Sequence, residues 1–394
     1  MNSIQRVKAA IHFEGPDRVP VYRSGRGDVL PMAMLPSRRW RPGHAEHERG
    51  LFPYHQDDIV IKLGLWRWKR PAWATEPECR DWLKLPREEV DEFGAIWNQD
   101  GGNTSLGHPG RPALPDWSEY DTYAGRYAPD AGDRSRYETF LRVGSLAGRR
   151  KYRMCILGGQ GPFTMAHAIR GFTSFLVDHR RNPEELRRLL ARITGFYVDA
   201  AKCWAGYGAR PHGFMLYDDL GDQHRPFMSP DTFADFYEPV FRTIIETAHG
   251  LGCDMHLHSC GKIDLLMPIL LDWGLDAFEF DSPRTIGYDD LERFRGSVMM
   301  WGCVDIQRIY ATGTPGECER EVWHMVRNMG TREGGFGAYF YPQTYHIGAP
   351  QANVAAFRRG LQEYGDYSKI PKAWWECSPG AIPAPARSAG SRVP

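Results

Sequence analysis

From Tyr152 onward, short apolar runs alternate with stretches of helical periodicity, and most of the runs stop at polar or reactive residues. Tyr152–Leu157, Gly213–Tyr217, Asp254–His258, Ala277–Phe280, Val298–Trp301 and Ala338–Tyr341 read as strands. Asn182-Pro183 and Ser229-Pro230 carry helix-opening signals, a capping side chain followed by a proline that needs no hydrogen bond. Further helices are expected at Ser3–Phe13, Ile263–Leu271, Pro315–Asn328 and Gln351–Tyr364. Two earlier runs, Arg18–Tyr22 and Asp58–Lys62, bring the strand count to eight. Eight strands mostly alternating with helices predict an α/β fold, a single (β/α)8 TIM-type barrel. An open flavodoxin-like sheet is the alternative, though it rarely needs eight strands.

The expected domain spans residues 1–374. Within it, residues 67–137 are rich in Trp, Pro, Gly and charge, and are read as an irregular insertion in the N-terminal half. Residues 375–394 are Pro-, Ala- and Ser-rich and read as a disordered tail. Lys plus Arg and Asp plus Glu number 49 each, so no net field draws the chain to nucleic acid or to an anionic membrane. Mean hydropathy is −0.50, and no run has the length of a membrane span. Eight cysteines without framework spacing, behind an N-terminus that lacks the apolar core of a signal peptide, suggest reduced thiols and a cytoplasmic protein. The expected partner is a small-molecule substrate.

The polar strand ends locate the candidate site. Arg23, Asp218, Asp219, His258, Cys260, Asp281, Cys303, Asp305, Tyr345 and His346 all fall at or just past the C-terminal ends of expected strands, the end that carries active sites in this fold. The stretch Asp254-Met-His-Leu-His258-Ser-Cys260-Gly261 is the most informative of them. His258 and Cys260 lie two apart at a strand end, so their side chains leave the same side of the backbone. Imidazole and thiolate are both good zinc donors. The same residues also suit an ordinary turn that holds a histidine and a partly buried thiol. Arg23 and Arg26 flank a glycine and offer planar donor forks to a carboxylate, or are plain loop arginines in water. Asp218 and Asp219 suit substrate or second-layer contacts, but equally helix capping or ion pairs. Glu279 alternates with Phe278 and Phe280 and reads as a buried carboxylate facing the barrel interior.

With these motifs in hand, the chain resembles the uroporphyrinogen decarboxylase superfamily. The resemblance rests on Asp218-Asp219-Leu-Gly221, Leu257-His258-Ser-Cys260-Gly261, Trp301-Gly302-Cys303-Val-Asp305 and Tyr345-His346-Ile, with Arg18-Val-Pro20 and Gly107-His-Pro109 upstream. It covers roughly residues 3–366 and points to the decarboxylase-like branch that includes zinc-dependent methyltransferases. Those enzymes move methyl groups between corrinoid proteins and a thiol such as coenzyme M. The resemblance implies Zn²⁺ on His258 and Cys260, with His346 standing where the family's pattern has a distant cysteine and Cys303 in reserve. It also implies methylcobalamin or another corrinoid as methyl donor or acceptor, and a corrinoid protein as partner. Catalytic roles are expected for Asp219 and Glu279, and substrate contacts for Arg23, Arg26, Tyr217, Asp218, Asp281 and Tyr345. The alternatives are a metal-free decarboxylase of a carboxylated substrate and a catalytically silent ligand-binding barrel.

Overall fold

The computed structural model describes residues 1–22, 27–37, 39, 86–100, 107–147, 150–341, 344 and 347–370. Its strands, in chain order, are β1 (Val21–Tyr22), β2 (Val29–Met32), β3 (Pro86–Val90), β4 (Ile96–Asp100), β5 (His108–Pro109), β6 (Tyr152–Ile156), β7 (Gly213–Tyr217), β8 (Asp254–His258), β9 (Ala277–Phe280), β10 (Met299–Gly302) and β11 (Phe336–Tyr339). Eight of them form one sheet in the order β1-β11-β10-β9-β8-β7-β6-β2. Its strands run parallel and helices follow them, giving the nearly closed (β/α)8 barrel expected from the alternation.

The second strand is not the expected one. Val29–Met32 pairs in parallel with β6, Val29 opposite Tyr152 and Met32 opposite Cys155. Asp58–Lys62 lies outside the described residues, and the eight strands are complete without it. Pro31 disguises β2, because proline lacks the N–H that a central strand needs. As the last strand in the sheet order, β2 tolerates the gap. The last strand also begins two residues earlier than the pattern suggests, at Phe336. Gly337 sits in its middle because an added Cβ would lie 2.3 Å from the Trp301 ring. The helix expected at Ile263–Leu271 starts at Met267, with Pro268 in its first turn.

The chain divides into two compact units, one of Met1–Asp28 with the chain from Glu279 onward, the other Val29–Phe278. In the first, the helix Ser3–Ile11 is closed by a capping box between Asn2 and Gln5. Its buried Arg6 reaches Asp28 at 2.7 Å, and Asp28 also accepts from Arg18 and the Val21 N–H. That carboxylate therefore fastens the first helix to β1. The helix Pro315–Met329 opens on a second capping box, Thr314 with Glu317. Its buried Glu321 takes both Arg284 and the Tyr288 hydroxyl.

In the second unit, β6, β7 and β8 pair in register. The helices Pro183–Gly206 and Pro230–Gly250 both start on the expected prolines. Ser229 caps the second by accepting the Thr232 N–H, whereas Asn182 makes no capping hydrogen bond and donates its amide to Asp178 instead. The described part of residues 67–137 holds a small antiparallel sheet, β3-β4-β5, and the short helix Tyr120–Arg126. Buried Asp91 closes the β3–β4 turn, accepting the N–H groups of Phe93 and Ala95 and the Trp97 indole. The stretch around Trp117 is anchored by a buried ion pair. Arg170 meets Asp178 at 2.8 Å and lies over the Trp117 ring, whose indole N–H also donates to Asp178. Arg170 donates in addition to the Leu114 carbonyl.

Removing one member of a buried pair strands the other charge away from water, which costs about 3–5 kcal/mol. Asp178→Ala is therefore expected to lower the unfolding free energy by about that amount in urea titrations. Asp121→Ala, whose carboxylate meets Arg188 while 84% exposed, should cost less than about 1 kcal/mol. Equal losses in the two variants would contradict this account.

Candidate metal centre

β7 and β8 pair up to Tyr217 opposite His258, and their pairing does not stop where the strands do. Asp218 N–H donates to the His258 carbonyl at 2.9 Å, and Lys262 N–H to the Asp222 carbonyl at 2.7 Å. Between them, Leu220 N–H donates to Ser259 Oγ at 3.1 Å and Cys260 N–H to Asp219 Oδ1 at 2.9 Å. The two loops are stitched together along their length. Gly261 makes the closeness possible: its φ is +86°, and a Cβ there would sit 2.1 Å from the Gly221 carbonyl oxygen.

This stitching brings three donor atoms together. His258 Nε2 lies 3.4 Å from Cys260 Sγ and 3.5 Å from Asp219 Oδ1. Donor atoms of Asp219, His258 and Cys260 all fall within 4.8 Å of one another. His258 is buried, and its ring packs against Tyr217 at 5.4 Å between centroids. The Asp219 side chain is 48% exposed, so the cluster is open on one side. Desolvation pushes the Asp219 carboxyl up, but His258 and the Cys260 N–H outweigh it and hold the group below the usual carboxylate range. Donors about 2.0–2.3 Å from a shared tetrahedral ion stand roughly 3.3–3.6 Å apart, and the two separations from His258 fall in that range; imidazole, thiol and carboxylate are all zinc donors by chemistry.

Asp218 faces the other way. It is fully buried, with Oδ2 accepting the Phe163 N–H at 2.9 Å and Oδ1 the Thr164 N–H at 2.7 Å. These are free donors of the first turn of the helix Pro162–Arg170, so Asp218 caps that helix from a distant loop. Burial still pushes its carboxyl up to about 7, against the pull of those N–H groups. Gly161 lets the carboxylate in, since a Cβ at that position would be 2.4 Å from it. The same helix supports the neighbouring aspartate, with Asp219 N–H donating to Thr164 Oγ1 at 3.2 Å. His167, one turn further on, is buried among Phe163, Phe172 and Phe175. Burial drives its pKa down to about 4, although Asp219 pulls upward, so the ring is neutral at pH 7.

Four of the residues expected at the site, Arg23, Arg26, Tyr345 and His346, lie outside the described residues. Glu279, Asp281, Cys303 and Asp305 belong to the other compact unit. There Glu279 is fully buried, and burial with Asp281 nearby pushes the Cys303 thiol well above its ordinary range. Asp305 accepts the N–H groups of Gln307 and Arg308, both at 2.9 Å, and so closes a turn. Sequence reasoning missed Thr164 and His167. A signal was present in Gly161-Pro162, where a proline in the first helical position follows shortly after a strand.

The architecture is that of the (β/α)8 class, with reactive side chains gathered where strands end. Within that class, the chain belongs to the uroporphyrinogen decarboxylase (URO-D) family, whose model matches residues 129–357, more than half of the chain. A curated relative, the methylated-thiol–coenzyme M methyltransferase of Methanosarcina mazei, is 28% identical over 211 residues. That match covers 51% of this chain and 51% of the relative, so the chain spans about half the length of the curated relative it matches. A solved structure described as a methyltransferase from Methanosarcina mazei shares the fold with a TM-score of 0.59 at 17% identity, over 92% of this chain and 99% of that one. Among the described residues, no helix is long and apolar enough to cross a membrane.

The depressed His167 gives the site a pH signature. The unfolded chain binds more protons than the folded one between about pH 4 and 6.5, so stability rises with pH across that window. His167→Phe keeps an aromatic ring in the cage and removes the titration. Between pH 4.5 and 7 the native chain is expected to gain about 2 kcal/mol more than the variant in urea unfolding. Identical gains would show that this imidazole is not held neutral.

Proposed function

We propose that this chain is a zinc-dependent methyltransferase of the uroporphyrinogen decarboxylase family, moving a methyl group between a corrinoid and a thiol or small methylated substrate. The observation that carries this reading is the 3.4 Å approach of His258 Nε2 to Cys260 Sγ on one buried strand end. The family membership and the thiol methyltransferase relative support it. Metal-free decarboxylation would leave a His-x-Cys pair in this position without a task.

His258 and Cys260 would hold the ion, and the open flank beside Asp219 would admit substrate. Bound zinc supplies positive charge that favours the thiolate form of a substrate whose free pKa is about 8.5. The protein's part is positional. Tyr217 limits the His258 ring from one side, so Nε2 stays turned toward the cluster. The Cys260 N–H is already spent on Asp219, which fixes the loop that carries the sulfur. Ser259, buried between the loops, accepts the Leu220 N–H and keeps the β7 loop against the β8 loop.

Purified protein is expected to hold about one zinc per chain and to demethylate methylcobalamin in the presence of a thiol acceptor, followed by the corrinoid absorbance. His258→Ala and Cys260→Ala should each lose both properties. Native protein free of zinc, or full transfer in Cys260→Ala, would sink the reading.

A further inference from the structure

We propose that the Asp219 carboxylate is the third protein ligand of this zinc, so that the chain holds the ion with one imidazole, one thiolate and one carboxylate. The inference rests on the zinc reading above and goes beyond it, because it replaces the donor expected from the end of the chain.

Geometry comes first. Asp219 Oδ1 is 3.5 Å from His258 Nε2, which is itself 3.4 Å from Cys260 Sγ, and all three donors lie within 4.8 Å of one another. The two separations from His258 match the edges of a tetrahedron drawn around a zinc ion, roughly 3.3–3.6 Å, and the carboxylate lies within 4.8 Å of the sulfur. Asp219 and Cys260 come from the loops after two adjacent strands and His258 is the last residue of the second strand, and four hydrogen bonds stitch those ends together.

The carboxylate also has capacity to spare. Its one backbone partner is the Cys260 N–H, while two carboxylate oxygens offer about four lone-pair positions. Among the described residues its other neighbours are the His258 imidazole and the Cys260 side chain, the two groups with which it would share the ion. Thr164 Oγ1, by accepting the Asp219 N–H, fixes the backbone from which this side chain springs.

Charge supplies the chemical reason. Zinc on a neutral imidazole, one thiolate and a second imidazole keeps a net charge of +1. Such a centre holds an incoming thiolate tightly and withdraws its electrons. With the Asp219 carboxylate in place of the second imidazole, the three ligands cancel the charge of the ion. A substrate thiolate then makes the centre anionic, which raises electron density on the sulfur that must attack a methyl carbon. A site built for methyl transfer to sulfur gains more from the carboxylate than from His346.

The test uses full-length protein and zinc itself, with affinities measured by competition against a chromophoric chelator. Asp219→Asn keeps an oxygen for the Cys260 N–H while removing the charge. It is expected to weaken zinc by more than about 100-fold, beyond the 10–100-fold that loss of a mere supporting partner costs. His346→Ala and Cys303→Ala are each expected to stay within about tenfold of the native value. In the cobalt-substituted protein, Asp219→Asn should alter the visible ligand-field bands and retain the ultraviolet band of the Cys260 thiolate. Should Asp219→Asn fail to fold, Asp219→Glu takes its place, with zinc retained and the ligand-field bands changed. Near-native zinc affinity in Asp219→Asn, a large loss in His346→Ala or Cys303→Ala, or an unchanged cobalt spectrum in Asp219→Glu would overturn the assignment while leaving the zinc reading intact. Native protein that binds no zinc would overturn the zinc reading and this inference with it.

Discussion

The site depends on a buried carboxylate that belongs to no strand or helix. Asp218 holds the two leading N–H groups of the helix Pro162–Arg170. Thr164 sits on the helix and receives the backbone of Asp219. Asp219 in turn receives the backbone of Cys260. A single capping interaction is thus passed along three contacts until it reaches a sulfur atom. Burying a carboxylate is costly, as its rise to about 7 records, and two hydrogen bonds from a helix N-terminus offset part of that cost. Gly161 is the other half of the arrangement, because any side chain there would occupy the space the carboxylate needs.

Much of this was legible in the residues, for physical reasons that differ from element to element. β8 announced itself because Asp254, His256 and His258 alternate with Met255 and Leu257, the two-residue period of a strand. The helices after Asn182 and Ser229 carried proline at the one place where a helix accepts it. β2 was hidden by Pro31, whereas β1 lies inside the run expected at Arg18–Tyr22, though only Val21–Tyr22 of it forms a strand. The partner of Asp218 was not legible at all. It lies 54 or 55 residues away in sequence, and a capping carboxylate supplied by another loop leaves no local pattern beside the helix it caps. Asp219 was noticed as one of a pair, but the relation that matters is its contact with Cys260, 41 residues on. Strand pairing creates that contact and periodicity does not encode it.

Adjacent aspartates with opposite assignments also explain why a family pattern alone says little about chemistry. Asp218 and Asp219 are chemically identical side chains one residue apart. The first is enclosed and bound to amides; the second is half exposed and faces an imidazole and a thiol. The environment, set by which way the backbone turns at the end of β7, makes one a fastening and leaves the other beside the imidazole and the thiol. What such a turn can do depends on the two or three side chains that meet there, here His258, Cys260 and Asp219.

All three of those donors come from one continuous stretch, residues 219–260, inside the unit Val29–Phe278. The order of synthesis then has a consequence. On the ribosome, the imidazole, the thiol and the carboxylate are already made before any residue of β9, β10 or β11 is joined to the chain. The Cys260 thiol therefore leaves the ribosome ahead of the strands β9, β10 and β11. Capture of a metal ion at that stage would protect Cys260 from oxidation before the barrel is complete.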